Sequence, residues 1–231
     1  MSVEIVPAIL PKTFLELHQK LKAVKDFVST AQVDICDGTF VKSKTWPYSD
    51  SSHFGEIVRE EEGFPYGQEL DIEFDLMIAK PENAVADWVS AGAKRIIIHA
   101  ESTDVLEHLI DDFLLRYANR TDDVSRVELG LALSVETPLS LIEPFMDRVD
   151  VVQCMGIARI GFQGEPFDER VIDKVRALRE RYPDHIISVD GGVNAESAPK
   201  LVRAGASRLM VGTALFSSGN MREAIAQFQN L

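Results

Sequence analysis

The feature that most limits what this chain can become is an alternation, repeated eight times, of short β-rich runs with longer helical stretches. Ile5 to Leu10 reads as a first strand, and Leu15 to Phe27 as a helix with Leu15, Leu17, Leu21, Val24 and Phe27 on one face. Gln32 to Cys36, Asp71 to Ile78, Lys94 to His99, Val127 to Leu133, Val149 to Met155, His185 to Asp190 and Arg208 to Val211 read as seven further strands. Helices are expected over 53–61, from Pro81 through Ala91, and over Asp104 to Tyr117, Pro138 to Met146, Asp168 to Arg181, Ala195 to Ala204 and Met221 to Gln229. Pro81 takes the first-turn position that proline favours. Such regular alternation, with no GxGxxG after the first strand, favours an α/β fold of the (β/α)8 TIM-barrel type over an open doubly wound sheet. One barrel domain over residues 1–231 is the expectation. The 41–69 segment is longer and more polar than the other connections, and its Lys42–Tyr48 stretch mixes cations with aromatics. It reads as a lid, an interface, or a surface loop with one anchoring tryptophan.

Charge and composition exclude some functions. The net charge of −13 argues against nucleic acid, whose phosphates demand basic patches. One phosphate can still be held by a local set of backbone N–H groups. No apolar run reaches the roughly 18 residues of a membrane span, and Met1–Ile5 carries no basic stretch followed by an apolar one, so no signal peptide is expected. Cys36 and Cys154 lie inside apolar runs and lack CxxC spacing, so they read as buried thiols in a reducing cytoplasm. A homo-oligomer is expected.

In a barrel, chemistry gathers at the carboxyl ends of the strands. There the sequence puts Asp34, Asp75, His99, Met155, Asp190 and Gly212. Asp34 and Asp190 each lie at the end of an apolar strand that runs into glycine-rich turns, which suits an acid–base pair working on opposite faces of one carbon. Taken singly, each aspartate also fits a turn or helix cap, as Asp37-Gly38 does. Asp190-Gly191-Gly192 and Val211-Gly212-Thr213-Ala214 follow strands seven and eight, the usual phosphate site of this architecture. Gly164, in the loop after strand six, could close over the same group. The expected phosphate set is therefore Gly164, Gly191, Gly192, Gly212 and Thr213. Met77 and Met155 read as an apolar floor beneath a sugar or as ordinary packing; His99 reads as a cavity residue or as a core histidine bonded to a backbone carbonyl.

These stretches resemble ribulose-phosphate 3-epimerases over nearly the whole chain. The matching runs are Pro7–Leu10, Val33–Val41, Leu76–Ile78 with Lys80–Glu82, His99–Glu101, Gly130–Leu133 with Thr137–Leu139, Val189–Asn194 and Val211–Phe216. The resemblance implies a metal at the barrel mouth held by two histidines and two aspartates, the aspartates also acting as acid and base. The aspartates carry over to Asp34 and Asp190. The histidine positions are Gln32 and Asp75, and the family's serine in the first strand is Ala8, placed to line the substrate. The family's proline–glycine loop is rewritten as Arg159–Glu165.

The chemistry so implied is inversion at carbon 3 of a ketose phosphate such as ribulose 5-phosphate, through an enediolate. Gln32, Asp34, Asp75 and Asp190 make an all-oxygen metal set, which favours magnesium or manganese over zinc or iron. The other reading is metal-free, with a protonated Asp75 as donor to the enediolate. Decarboxylase and aldolase relatives need a lysine where this chain has Cys36. The alternative function is a sugar-phosphate-binding barrel with lost or changed activity: another isomerase or lyase, or a non-catalytic binder.

Overall fold

The computed structural model describes residues 3–118 and 126–231. Eight parallel strands close into a barrel in sequence order. They are β1 (Glu4–Ile9), β2 (Thr30–Cys36), β3 (Asp71–Met77), β4 (Arg95–His99), β5 (Glu128–Leu133), β6 (Val151–Met155), β7 (Ile186–Asp190) and β8 (Arg208–Val211). Between and after them run α1 (Phe14–Val24), α2 (Phe54–Val58), α3 (Val85–Ser90), α4 (Leu106–Phe113), α5 (Arg170–Arg181), α6 (Ser197–Ala204), α7 (Thr213–Phe216) and α8 (Met221–Gln229). No described helix is long and apolar enough to cross a membrane.

Alternation along the strands sorts the side chains into two cores. Val33 and Ile35 of β2 and Phe74 and Leu76 of β3 pack with Leu17, Leu21 and Val24 of α1 in the core between barrel and helices. The other face of each strand points into the barrel, where small apolar clusters form: Val6, Ala8 and Met210 on one side, Ile97, Ala132 and Val151 on the other, and Cys36 and Met77 with Leu10 and Val41 at the mouth. Gly130 belongs to this crowded interior, since a Cβ there would come within 2.3 Å of Ile97 Cδ1.

The rest of the barrel interior is polar. At its amino end the buried Glu73 accepts from Arg95 Nη1 at 2.6 Å and Arg208 Nη2 at 2.8 Å, and Arg208 Nε reaches Glu4 Oε2 at 2.6 Å. Charges taken this far from water must be paired, and here each is. The ion network plugs the amino end and leaves the carboxyl end open.

Helical stretches depart from expectation where proline intervenes. The expected helix over Pro138–Met146 is two 3-10 turns, Leu139–Leu141 and Glu143–Phe145. Pro144, lacking an N–H, denies that stretch a continuous α ladder. The Pro81–Ala91 helix divides into a 3-10 turn, Pro81–Asn83, and α3. In the 41–69 segment Trp46 is fully buried, donates to the Ser52 carbonyl at 2.9 Å, and packs on Phe14, Phe54, Phe64 and Trp88. An anchoring tryptophan is thus what holds this segment to the outside of the barrel.

Candidate active site

At the open end the strands surround a cavity of about 310 Å3, a size common to small-molecule sites. The register sets Asp34 beside Asp75, and Asp190 beside Met155 and Met210. One carboxylate oxygen of each of Asp34, Asp75 and Asp190 lies within 4.8 Å of the other two, and all three residues are buried.

Buried carboxylates this close oppose one another's ionisation. Burial lifts Asp34 well above the usual carboxylate range, and the charges of Asp190 and Asp75 add to it. Burial, then the charge of Asp75, pushes Asp190 up to about 7. Gln32 works against this, because hydrogen bonds to the charged form favour it. Its Nε2 donates to Asp34 Oδ1 at 2.8 Å and to Asp190 Oδ2 at 2.9 Å. On the far side Gln153 Nε2 donates to Asp75 Oδ2 at 3.0 Å.

The structure gathers the carboxylates of three of the four expected metal-site residues, Asp34, Asp75 and Asp190, in one small volume, and sets the Gln32 amide beside them. Gln32 turns its amide nitrogen, which cannot ligate a cation, toward the carboxylates, while its Oε1 is buried without a partner. The reason is electrostatic: carboxylate oxygens only accept, so the amide must face them with its donors. The three aspartates fit a divalent cation. They offer buried oxygen donors in one small volume, and Asp75 Oδ1 takes no amide hydrogen bond.

His99 does not line the cavity, nor is its ring held by a backbone carbonyl. It is enclosed between Asp75, whose Oδ1 is 3.2 Å from Nε2, and the Phe40 ring at 5.4 Å, with Glu101 Oε2 at 3.9 Å from Nδ1. Burial alone would lower its pKa; the charges of Asp75 and Glu101 outweigh that and raise it. An ionisable partner in β3 thus draws the ring inward, under the mouth of the barrel.

Ala8, Met77 and Met155 lie on the cavity wall, as do Gly164, Gly191, Gly192, Gly212 and Thr213. Among the described residues the wall carries no lysine or arginine, so the donors open to an anion there are backbone N–H groups and neutral side chains such as Thr213. Gly191 and Gly192 adopt φ of +98° and +68°, which L side chains rarely take. A Cβ on Gly192 would sit 2.7 Å from the Phe167 Cα, and one on Gly212 would face Gln163 Nε2 at 3.1 Å. Over this end lies the loop between β6 and α5, whose Gly161 packs on Val41 and Ser43 of the 41–69 segment.

Residues 4–216 match the family model described as the Ribulose-phosphate 3 epimerase family. The chain belongs to this family. This epimerase-family chain is 32% identical to ribulose-5-phosphate-3-epimerase, chloroplastic, of Arabidopsis thaliana, over 97% of its own length and 75% of that protein's. It is 28% identical to ribulose-phosphate 3-epimerase of Bacillus subtilis, over 98% of each. Among solved structures, 3-hexulose-6-phosphate synthase from Salmonella typhimurium superposes with a TM-score of 0.67 at 15% identity, over 98% of this chain and 97% of that one. Orotidine 5'-phosphate decarboxylase from Pyrococcus horikoshii OT3 gives 0.61 at 21% identity, over 98% and 97%. These two likenesses concern the fold.

Gln153 and Met210 carry no motif that marks them in the sequence. Both are inward residues two positions from a recognised or expected feature, Gln153 before Met155 and Met210 before Gly212, so strand alternation was the available signal.

Proposed function

We propose that the chain inverts carbon 3 of a ketose phosphate such as ribulose 5-phosphate, with Asp34 and Asp190 as the acid–base pair. The observation that carries this reading is the pairing of two buried carboxylates, bridged by one amide, with a glycine-rich wall in the same cavity. One aspartate, ionised, removes the proton on carbon 3, which the neighbouring ketone acidifies, and the C–H electron pair moves into an enediolate. The other, protonated, returns a proton to the opposite face. No atom is gained or lost; the two carboxyls end with their protons exchanged and are reset through solvent. In the cation-free centre burial raises Asp190 to about 7, which suits this duty, since a general acid–base group works best when both forms are populated at the working pH.

Asp34, Asp75 and Asp190 would hold a divalent cation, magnesium or manganese by the all-oxygen donor set, which would supply positive charge to the developing enediolate oxygens. Backbone N–H groups at Gly191, Gly192, Gly212 and Thr213 would hold the phosphate, with Gly164 above it. Met77 and Met155 close the sugar end. Cys36, where lyase-type relatives would need a cationic amine, is a thiol that burial pushes up to about 12, so it is neutral and supplies no positive charge. Both cysteines are free and buried, which suits a reducing compartment such as the cytoplasm.

Incubation with ribulose 5-phosphate in deuterated water, with and without added magnesium or manganese, tests the reading. Deuterium at carbon 3, seen by proton NMR, is expected. Absence of label with every ketopentose and ketohexose phosphate tried would favour the binding-protein alternative instead.

A further inference from the structure

The carboxylate centre is framed by two glutamines that no family motif picks out as positioning residues. Gln32 and Gln153 are both fully buried, on β2 and β6, across the barrel from one another in strand order. Each spends its amide nitrogen on the centre: Gln32 on Asp34 and Asp190, Gln153 on Asp75. Each leaves its amide oxygen, Oε1, buried with no partner. A buried carbonyl without a donor is costly, and native proteins keep few of them. An apolar side chain at either position would avoid that cost, so the donors are what these positions supply.

The consequence lies in the oxygens left over. Gln32 takes Oδ1 of Asp34 and Oδ2 of Asp190, and Gln153 takes Oδ2 of Asp75. Each carboxylate therefore has one oxygen tied to an amide and one oxygen free of any amide, the free oxygen of Asp75, Oδ1, standing 3.2 Å from His99 Nε2. Outer residues that tie back one atom of a ligand in this way fix the direction of the other. We infer that Gln32 and Gln153 are positioning residues, which turn one oxygen of each of the three aspartates toward the reacting carbon or a bound divalent cation. This rests on the epimerase reading above for what the aspartates do, but not for which atoms are held.

Gln32→Met and Gln153→Met keep side-chain length and remove the donors. Two quantities are read on each: manganese affinity by calorimetry, and the partition of deuterium between recovered substrate and its epimer in deuterated water. Each variant is expected to bind manganese about 10–100-fold more weakly, as loss of outer-shell partners does elsewhere. Gln32→Met is also expected to shift label toward recovered substrate, because abstraction and return no longer share one bridge. A role confined to stability would lower the melting temperature and leave both quantities unmoved. If either methionine variant fails to fold, Gln32→Leu or Gln153→Leu removes the donors with a shorter apolar side chain and is read through the same two quantities. Wild-type affinity and partition in both variants would overturn the inference while leaving the epimerase reading intact. If the wild-type protein exchanges no label yet binds manganese, the epimerase reading falls, and manganese affinity in the variants alone decides the inference. A wild-type protein that neither exchanges label nor binds manganese overturns both.

Discussion

Replacing Asp190 with asparagine should make the cation-free protein more stable above neutral pH while ending turnover. Burial and the charge of Asp75 raise the folded pKa of Asp190 to about 7 from its ordinary 3.8. A carboxyl raised in this way binds its proton more tightly when folded, so it penalises the folded state as pH climbs from its ordinary value. The penalty starts near pH 4, grows through pH 5 and 6, and levels off above about 7. At about 1.4 kcal/mol per pH unit the interval amounts to about 4 kcal/mol. Asparagine keeps the shape and the acceptor for Gln32 and carries no charge, so the variant escapes the penalty. For a chain of this length the gain corresponds to about 10 °C in melting temperature at pH 8, and to less than about 1 kcal/mol at pH 4. Chemical denaturation of both proteins in chelator, at pH 4, 5, 6, 7 and 8, measures it. A difference that stays constant across that range, or a variant less stable than wild type at pH 8, would refute the reasoning.

Cation binding should show the complementary dependence. Manganese at about 100 times its dissociation constant stabilises by about 2.7 kcal/mol, and that gain, taken at pH 8, should shrink toward pH 5 as the three buried aspartates take up protons, which a thermal melt series would follow. Arg208→Met strips the buried Glu73 of one partner and leaves it paired with Arg95, so a loss of about 1.5–3 kcal/mol is expected in denaturant melts, with the KM for substrate unchanged. Gly192→Ala forces an L residue to φ of +68° and a Cβ against Phe167. It should weaken phosphosugar binding by about tenfold or more, since about 1–2 kcal/mol of backbone strain falls on the anion loop; calorimetric affinity equal to wild type would remove these glycines from the phosphate site.

The barrel was readable because strand residues alternate and helices repeat every three to four residues. Asp34, Asp190 and the glycine pairs were readable because they stand at strand ends, where a parallel barrel keeps its chemistry. Asp75 came forward by the same rule. What Gln32 does was not readable: which amide atom faces the aspartates depends on Asp190 from β7, brought near only when the barrel closes. Gln153 was hidden for a similar reason, since its partner Asp75 lies on β3. His99 could be placed at the end of β4 but not given a neighbour, so its enclosure by Asp75 and Phe40 came only with the fold. The ion plug of Glu4, Glu73, Arg95 and Arg208 runs against the general expectation that charges face solvent, which hides such a network in a linear reading. Short α7, Thr213–Phe216, carries too few residues for a helical period to emerge.

Asp34 and Asp190 are proposed as the acid–base pair of a carbon 3 epimerisation. The most direct test is a single set of reactions: wild type, Asp34→Asn and Asp190→Asn, each with ribulose 5-phosphate and manganese in deuterated water, followed by NMR for inversion at carbon 3. The wild-type protein should invert and label carbon 3, and both variants should fail to invert it while still binding the phosphosugar in calorimetry. Inversion by both variants at rates near wild type would contradict the assignment.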